Sequence, residues 1–201
     1  MTKQYAKLGF ILAAFSVVAC VGLSFVYAAT KDTIANQASI QLKASLKELF
    51  PEADNFKDVT PEFGPFFKGA TLDSAYLVER SGAPLGMAIK ASGNSYGGLS
   101  TLLVGVGIDR RVAGVRVLES KDTPGLGYNA MNPSYFVDKA TKTTFPGQFT
   151  GKPLTDGFAV KQDVVAITAA TITSKALTGI IKASGEAAQA YLERSSSVGG
   201  N

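Results

Sequence analysis

The chain of 201 residues has room for one medium domain and a short appendage, and its 20 basic and 16 acidic residues leave a formal charge of +4. No Lys/Arg block of the kind that neutralises phosphates occurs, so no nucleic-acid partner is expected. With no histidine, no tryptophan and one cysteine, Cys20, the chain is denied Ser-His-Asp and Cys-His triads, His-ligated metals, an internal disulfide framework and a self-contained iron–sulfur site.

That inventory predicts no His- or Cys-ligated metal site and no triad nucleophile; no catalytic side chain is singled out and no independent catalytic activity is expected of the chain. Any electron chemistry must come from an imported cofactor.

Residues 1–7 are short and basic, and the run from Leu8 to Thr30 then carries no charge, long enough to cross a hydrocarbon core as a helix. Lys3 and Lys7 precede it, while Lys31 is followed at once by Asp32, so the positive-inside bias puts the amino terminus in the cytoplasm. Two other readings fit the same stretch. Val17-Val18-Ala19-Cys20 suits a lipoprotein cleavage site and Val26-Tyr27-Ala28 a signal-peptidase site. The apolar character that persists after Cys20 favours a retained transmembrane helix over 8–30, with Cys20 as one of its small apolar residues.

From Lys31 to Phe50, Ile34, Ala38, Leu42, Leu46 and Leu49 recur at steps of three or four residues, the pattern of an amphipathic helix that Pro51 ends. The stretch to Pro65 reads as irregular chain. Strand-like segments follow at Ala75–Glu79, Gly86–Ala91, Leu99–Ile108 and Val112–Leu118, with separators of hairpin length, which predicts an antiparallel meander. Asn132–Thr141 reads as a short helix opened by Pro133 and Gly157–Lys161 as another strand. The last element is a helix from about Ser174 to Arg194, with Leu177, Ile180, Ile181, Ala187, Tyr191 and Leu192 on its apolar side. Residues 31–194 are therefore expected to form one outer α+β domain, an antiparallel sheet flanked by helices, and 195–201 a flexible tail.

Two kinds of segment carry chemistry. Gly93-Asn94-Ser95-Tyr96-Gly97-Gly98 and Asp122-Thr123-Pro124-Gly125-Leu126-Gly127 are tight turns that could equally line a planar ligand, because a missing side chain lets backbone amides come close to a ring. Ala166-Ile167-Thr168-Ala169-Ala170-Thr171-Ile172-Thr173-Ser174 leads into the last helix. Thr173 or Ser174 as the N-cap accounts for one hydroxyl of the cluster. A helix start followed by Lys175 is also a ready phosphate site, where a threonine could be phosphate-linked.

The anchor, Tyr96-Gly97-Gly98, Gly114-Val115-Arg116-Val117-Leu118, Thr123-Pro124-Gly125-Leu126-Gly127 and the Thr-rich segment, in that order, resemble the G subunit of the Rnf electron-transport complex. More distantly they resemble the C subunit of the sodium-pumping NADH:quinone oxidoreductase. The resemblance implies an FMN-binding domain behind one transmembrane helix, outside the cytoplasm at the inner membrane, with FMN joined covalently through its phosphate to a threonine by a separate flavin transferase.

The family's attachment motif is an Asp, two residues, Ser or Thr, Gly, Ala and the acceptor Thr. On this chain it falls on Thr168, Ala169, Ala170 and the acceptor Thr171, while Val165 stands at the Asp position and Asp163 lies two residues earlier. The resemblance further implies Thr173, Ser174 and Lys175 around the phosphate and Thr123, Leu126 and Gly127 beside the ring; Tyr96 either flanks the ring or packs in the core. By resemblance the chain relays electrons among the other integral membrane and redox subunits of a complex that couples ferredoxin and NAD to the movement of sodium ions or protons, binding neither itself. Two alternatives remain: a non-flavinylated outer scaffold of the same type of complex, and a lipoprotein that binds FMN reversibly.

Overall fold

A computed structural model of the protein describes residues 2–63, 66–67 and 69–198 and divides into two compact units, Met1–Lys43 and Ala44–Asn201. The first unit lies on one helix, α1, which spans Thr2–Leu49 without a break at Lys31. Its amino-terminal part is long and apolar enough to cross a membrane. Phe10, Phe15, Val18, Leu23 and Phe25 are all exposed on it. Its hydroxyls turn back onto its own carbonyls, Ser16 Oγ donating to Leu12 O at 3.0 Å and Thr30 Oγ1 to Val26 O at 2.8 Å. Of the stripe expected over 31–50, Leu46 is buried within the second unit, with Ser45 and Phe50 buried beside it.

The second unit is an α+β domain. Strands β1 (Asn55–Asp58), β2 (Phe66–Phe67), β3 (Ala70–Arg80), β4 (Ala83–Asn94), β5 (Leu99–Gly107) and β6 (Val112–Ser120) form one antiparallel sheet among the described residues, ordered β1-β3-β4-β5-β6 with β2 on β3. The β3–β4 hairpin closes through Ser81 at φ 51° and Gly82 at φ 78°, two left-handed residues that match the twist of the strands they join. A second small pair, β7 (Phe136–Asp138) with β8 (Thr143–Thr144), sits before the last helix, α2 (Thr171–Val198).

Helix α2 buries Leu177, Ile180, Ile181, Ala188 and Tyr191 against Met87, Ile89 and Ala91 of β4 and Leu102, Val104 and Val106 of β5. Each fully buried Leu or Ile contributes roughly 1.5–3 kcal/mol. Gly93 admits Ile180, whose Cδ1 would lie 2.9 Å from a Cβ there. The paired Gly105 and Gly114 make a bare seat for the end of α1, since a Cβ on Gly105 would meet Phe50 at 2.9 Å and one on Gly114 would meet Leu49 at 2.7 Å. Glu48 and Arg116 form an ion pair beside that seat.

Four expectations need correction. The chain after Pro51 is not wholly irregular, because Asn55–Asp58 pairs with Tyr76–Glu79 as an edge strand. Asn132–Thr141 is no helix. Asn132 Oδ1 takes the Ser134 amide at 2.9 Å and Asp138 Oδ1 the Ala140 amide at 2.9 Å, local bonds that compete with helical ones. Gly157–Lys161 is no strand either: Phe158 (φ 50°) and Lys161 (φ 73°) are left-handed, and the chain wraps the Asp163 carboxylate, which accepts from Phe158 N at 3.0 Å and Ala159 N at 2.5 Å. Finally, α2 begins three residues before Ser174 and runs on through 195–198; the rest of the expected tail, 199–201, lies outside the described residues.

Candidate functional site

The start of α2 meets both glycine loops at a cavity of about 420 Å³, lined by Tyr96, Asp122, Thr123, Leu126, Gly127, Ala169, Ala170, Thr171, Ile172 and Thr173. Eight of the eleven residues singled out from the sequence line it: Tyr96, Thr123, Leu126, Gly127, Ala169, Ala170, Thr171 and Thr173. Thr168, Ser174 and Lys175 do not. Thr168 is exposed and its amide donates to Tyr135 Oη at 3.2 Å; Lys175 is exposed on the next turn.

Thr173 and Ser174 are not caps. Both lie inside the helix with their hydroxyls engaged elsewhere. Thr173 Oγ1 donates to Asp122 Oδ1 at 2.9 Å. Ser174 Oγ donates to Ala170 O and accepts from Ile167 N, both at 2.9 Å, which buckles the Ile167–Ala170 turn onto the helix. Ala170 takes the position before the first helical residue and has no side-chain acceptor to offer. The amides of Thr171, Ile172 and Thr173 precede the first intrahelical bond, Ser174 N to Ala170 O at 2.9 Å, so the helix leaves them without acceptors of its own, beside the Thr171 hydroxyl.

Ala169 sits at φ 57°, in the left-handed region, although it carries a Cβ. The turn it makes is what brings Thr171 to the cavity wall, and a glycine would make it without strain.

Sequence reasoning passed over two residues of this lining, Ile172 and Asp122, the second of which opens the Pro-Gly turn. Only 5% exposed, Asp122 accepts from Ser95 Oγ at 2.6 Å, Gly97 N at 2.8 Å, Thr173 Oγ1 at 2.9 Å and Ser120 Oγ at 3.2 Å. Burial pushes its carboxyl up, but the hydrogen bonds from Ser95, Gly97, Thr173 and Ser120 outweigh burial and hold it below the usual carboxylate range. The glycines make room for it. A Cβ on Gly97 would stand 2.6 Å from Asp122 Cα, and one on Gly127 would stand 2.5 Å from Thr173 Oγ1 and 2.8 Å from Asp122 Cγ.

The cavity fits FMN on three counts. Its size is that of a small-molecule site. Leu126, Ile172 and Tyr96, 39%, 61% and 70% exposed, offer apolar surface to a flat ring. Acceptor-free helix amides suit a phosphate.

Comparison with known proteins agrees. A family model described as FMN-binding domain matches residues 95–185, and one described as RnfG N-terminal region matches residues 1–49. The G subunit of the ion-translocating oxidoreductase complex of Photorhabdus laumondii is 31% identical over 196 residues, 90% of this chain and 89% of the relative. That of Cereibacter sphaeroides is 31% identical over 185 residues, 86% and 79% of the two chains. The chain belongs to the family of G subunits of these ion-translocating oxidoreductase complexes. A further member, the G subunit of the Na⁺-translocating ferredoxin:NAD⁺ oxidoreductase complex of Acetobacterium woodii, is 30% identical over 193 residues, 88% of this chain and 87% of its own.

Within the family's FMN-binding domain, Val165 is half exposed, its backbone held by Gln148, which accepts from Val165 N at 2.7 Å and donates to Val165 O at 3.1 Å. Two residues earlier, the Asp163 carboxylate accepts from the Phe158 and Ala159 amides, with Lys152 Nζ 3.7 Å away. Burial pushes that carboxyl up and is outweighed by those amides and Lys152, so it too lies below its usual range.

Proposed function

We propose that this protein is an electron relay, carrying FMN as a phosphoester on Thr171 and working within a ferredoxin:NAD-type translocating complex. The observation that carries the proposal is the position of Thr171: first residue of α2, beside acceptor-free amides, in the wall of the cavity that both glycine loops share. FMN would supply the electron chemistry. The chain supplies the hydroxyl, the amides of α2 for the phosphate, and the apolar faces of Leu126, Ile172 and Tyr96 that shield the ring from water.

A separate flavin transferase would make the ester. The remaining integral membrane and redox subunits of the complex would be the electron partners. The apolar part of α1 would cross the inner membrane once, with the basic amino terminus in the cytoplasm and the flavin domain outside it, where covalent attachment prevents loss of the cofactor.

Val165 favours a second reading, an outer scaffold that the transferase never modifies, because it stands where the attachment motif has its acid. Intact-mass measurement separates the two. The relay gains the mass of one phosphoflavin, and the scaffold gains none. Thr171→Ala must abolish the flavin fluorescence of the denatured band in a gel, and a band that still fluoresces refutes the ester at Thr171. Raised flavin content in Val165→Asp would locate the transferase's requirement at that position.

A further inference from the structure

We infer that Asp122 is a positioning residue of the flavin site, a carboxylate that clasps both glycine loops to the first turn of α2 and lowers the reduction potential of the flavin held between them. The inference rests on the proposed flavin reading and adds to it a residue and a direction.

The clasp is visible in its donors. Ser95 and the Gly97 amide belong to the loop after β4, Ser120 to the end of β6, and Thr173 to the third residue of α2, so one side chain gathers three separate stretches of chain. Ser95 and Ser120 are themselves tied to the buried Ser100, at 3.0 and 3.3 Å, which fixes two of the donors from behind. Gly97 and Gly127 are both placed where any Cβ would collide with the clasp. The glycines of these loops therefore serve Asp122 as well as the ring.

All four donors are neutral dipoles. No Lys or Arg pairs with Asp122 among the described residues, so a full negative charge stays in the cavity wall. The hydrogen bonds keep that carboxyl ionised across the physiological range. A nearly buried charge acts through protein rather than water and is weakly screened. Reduction adds electron density to the bound group, and an adjacent anion opposes it.

The test uses the full chain in detergent micelles, purified after co-expression with a flavin transferase, and reads the midpoint potential of the bound FMN by spectroelectrochemical titration at pH 7. A wild-type chain that carries no FMN ends the flavin reading itself, before any variant is compared. Asp122→Asn keeps the shape and removes the charge, and the potential should rise. Thr173→Val and Ser95→Ala keep the charge and each remove one donor, so the potential should fall in both. An unchanged potential in Asp122→Asn, or shifts of the same sign in the charge-removing and donor-removing variants, overturns the inference, because a scaffold residue would not produce opposite signs. Should Asp122→Asn fail to fold or to retain flavin, the two donor variants decide: a lowered potential in both supports the inference, and an unchanged or raised one overturns it.

Discussion

Replacing Gly127 by alanine should unfold the flavin domain at a markedly lower temperature. The new Cβ would lie 2.5 Å from Thr173 Oγ1, 2.8 Å from Asp122 Cγ and 2.9 Å from Asp122 Cβ, well inside ordinary contact. Neither neighbour can step aside cheaply, since Thr173 is fixed in the first turn of α2 and Asp122 by four hydrogen bonds. Overpacking of this kind costs about 1–3 kcal/mol. Parting Thr173 from Asp122 removes a hydrogen bond to a charged group, about 1.5–3 kcal/mol more. A combined loss of about 4 kcal/mol lowers the melting temperature of a domain this size by roughly 8–16 °C. Thermal unfolding of the full chain in micelles, followed by far-ultraviolet circular dichroism, measures it. Gly125→Ala is the control: at φ 80° with nothing within 4 Å, it carries only the left-handed strain, about 1 kcal/mol. If Gly127→Ala melts with the wild type, or is the milder of the two, the clasp does not constrain the loop. The Gly127→Ala penalty should also shrink in a Thr173→Ala background, where one colliding atom is gone.

Two further outcomes follow from the same geometry. Ala169→Gly should stabilise the domain by about 0.5 kcal/mol, the relief of left-handed strain exceeding the extra freedom of glycine in the unfolded chain, and chemical denaturation reads it as a higher midpoint with unchanged slope. Asp122 and Asp163 both have depressed folded pKa values, so the stability they contribute is present above the unfolded value of about 3.9 and is lost as pH falls through the lower folded values. The melting temperature should hold from neutrality to about pH 5 and decline below about pH 4, and Asp122→Asn should be less stable at neutrality and show a shallower decline.

The central meander was legible because its strands carry unbroken apolar runs. Leu102, Leu103, Val104 and Val106 are buried on both faces of β5, and composition alone marks such a strand. The edge strand β1 was not, since Asn-Phe-Lys-Asp alternates weakly and stays mostly exposed. Between Asn132 and Lys161 the chain is shaped by Asn132, Asp138 and Asp163 accepting nearby amides, a local chemistry that periodicity does not register. At the site, the glycine loops and the threonine cluster were readable, and eight of eleven chosen residues line one cavity. Asp122 escaped notice because a carboxylate at the start of a Pro-Gly turn is ordinary turn composition. Only the fold brings Thr173, 51 positions away along the chain, to its oxygen.

Ala170 leaves α2 without a side-chain cap at the end where Thr171 sits. A phosphate joined to Thr171 would act as that missing cap, supplied by a post-translational step instead of by the genetic code. Being covalent, its contribution to stability would not vary with the concentration of free FMN, as a dissociable ligand's does. Maturation of the protein would then be a folding event as well as a redox one, and the degree of flavin loading would be readable in the protection of the α2 amides against hydrogen exchange.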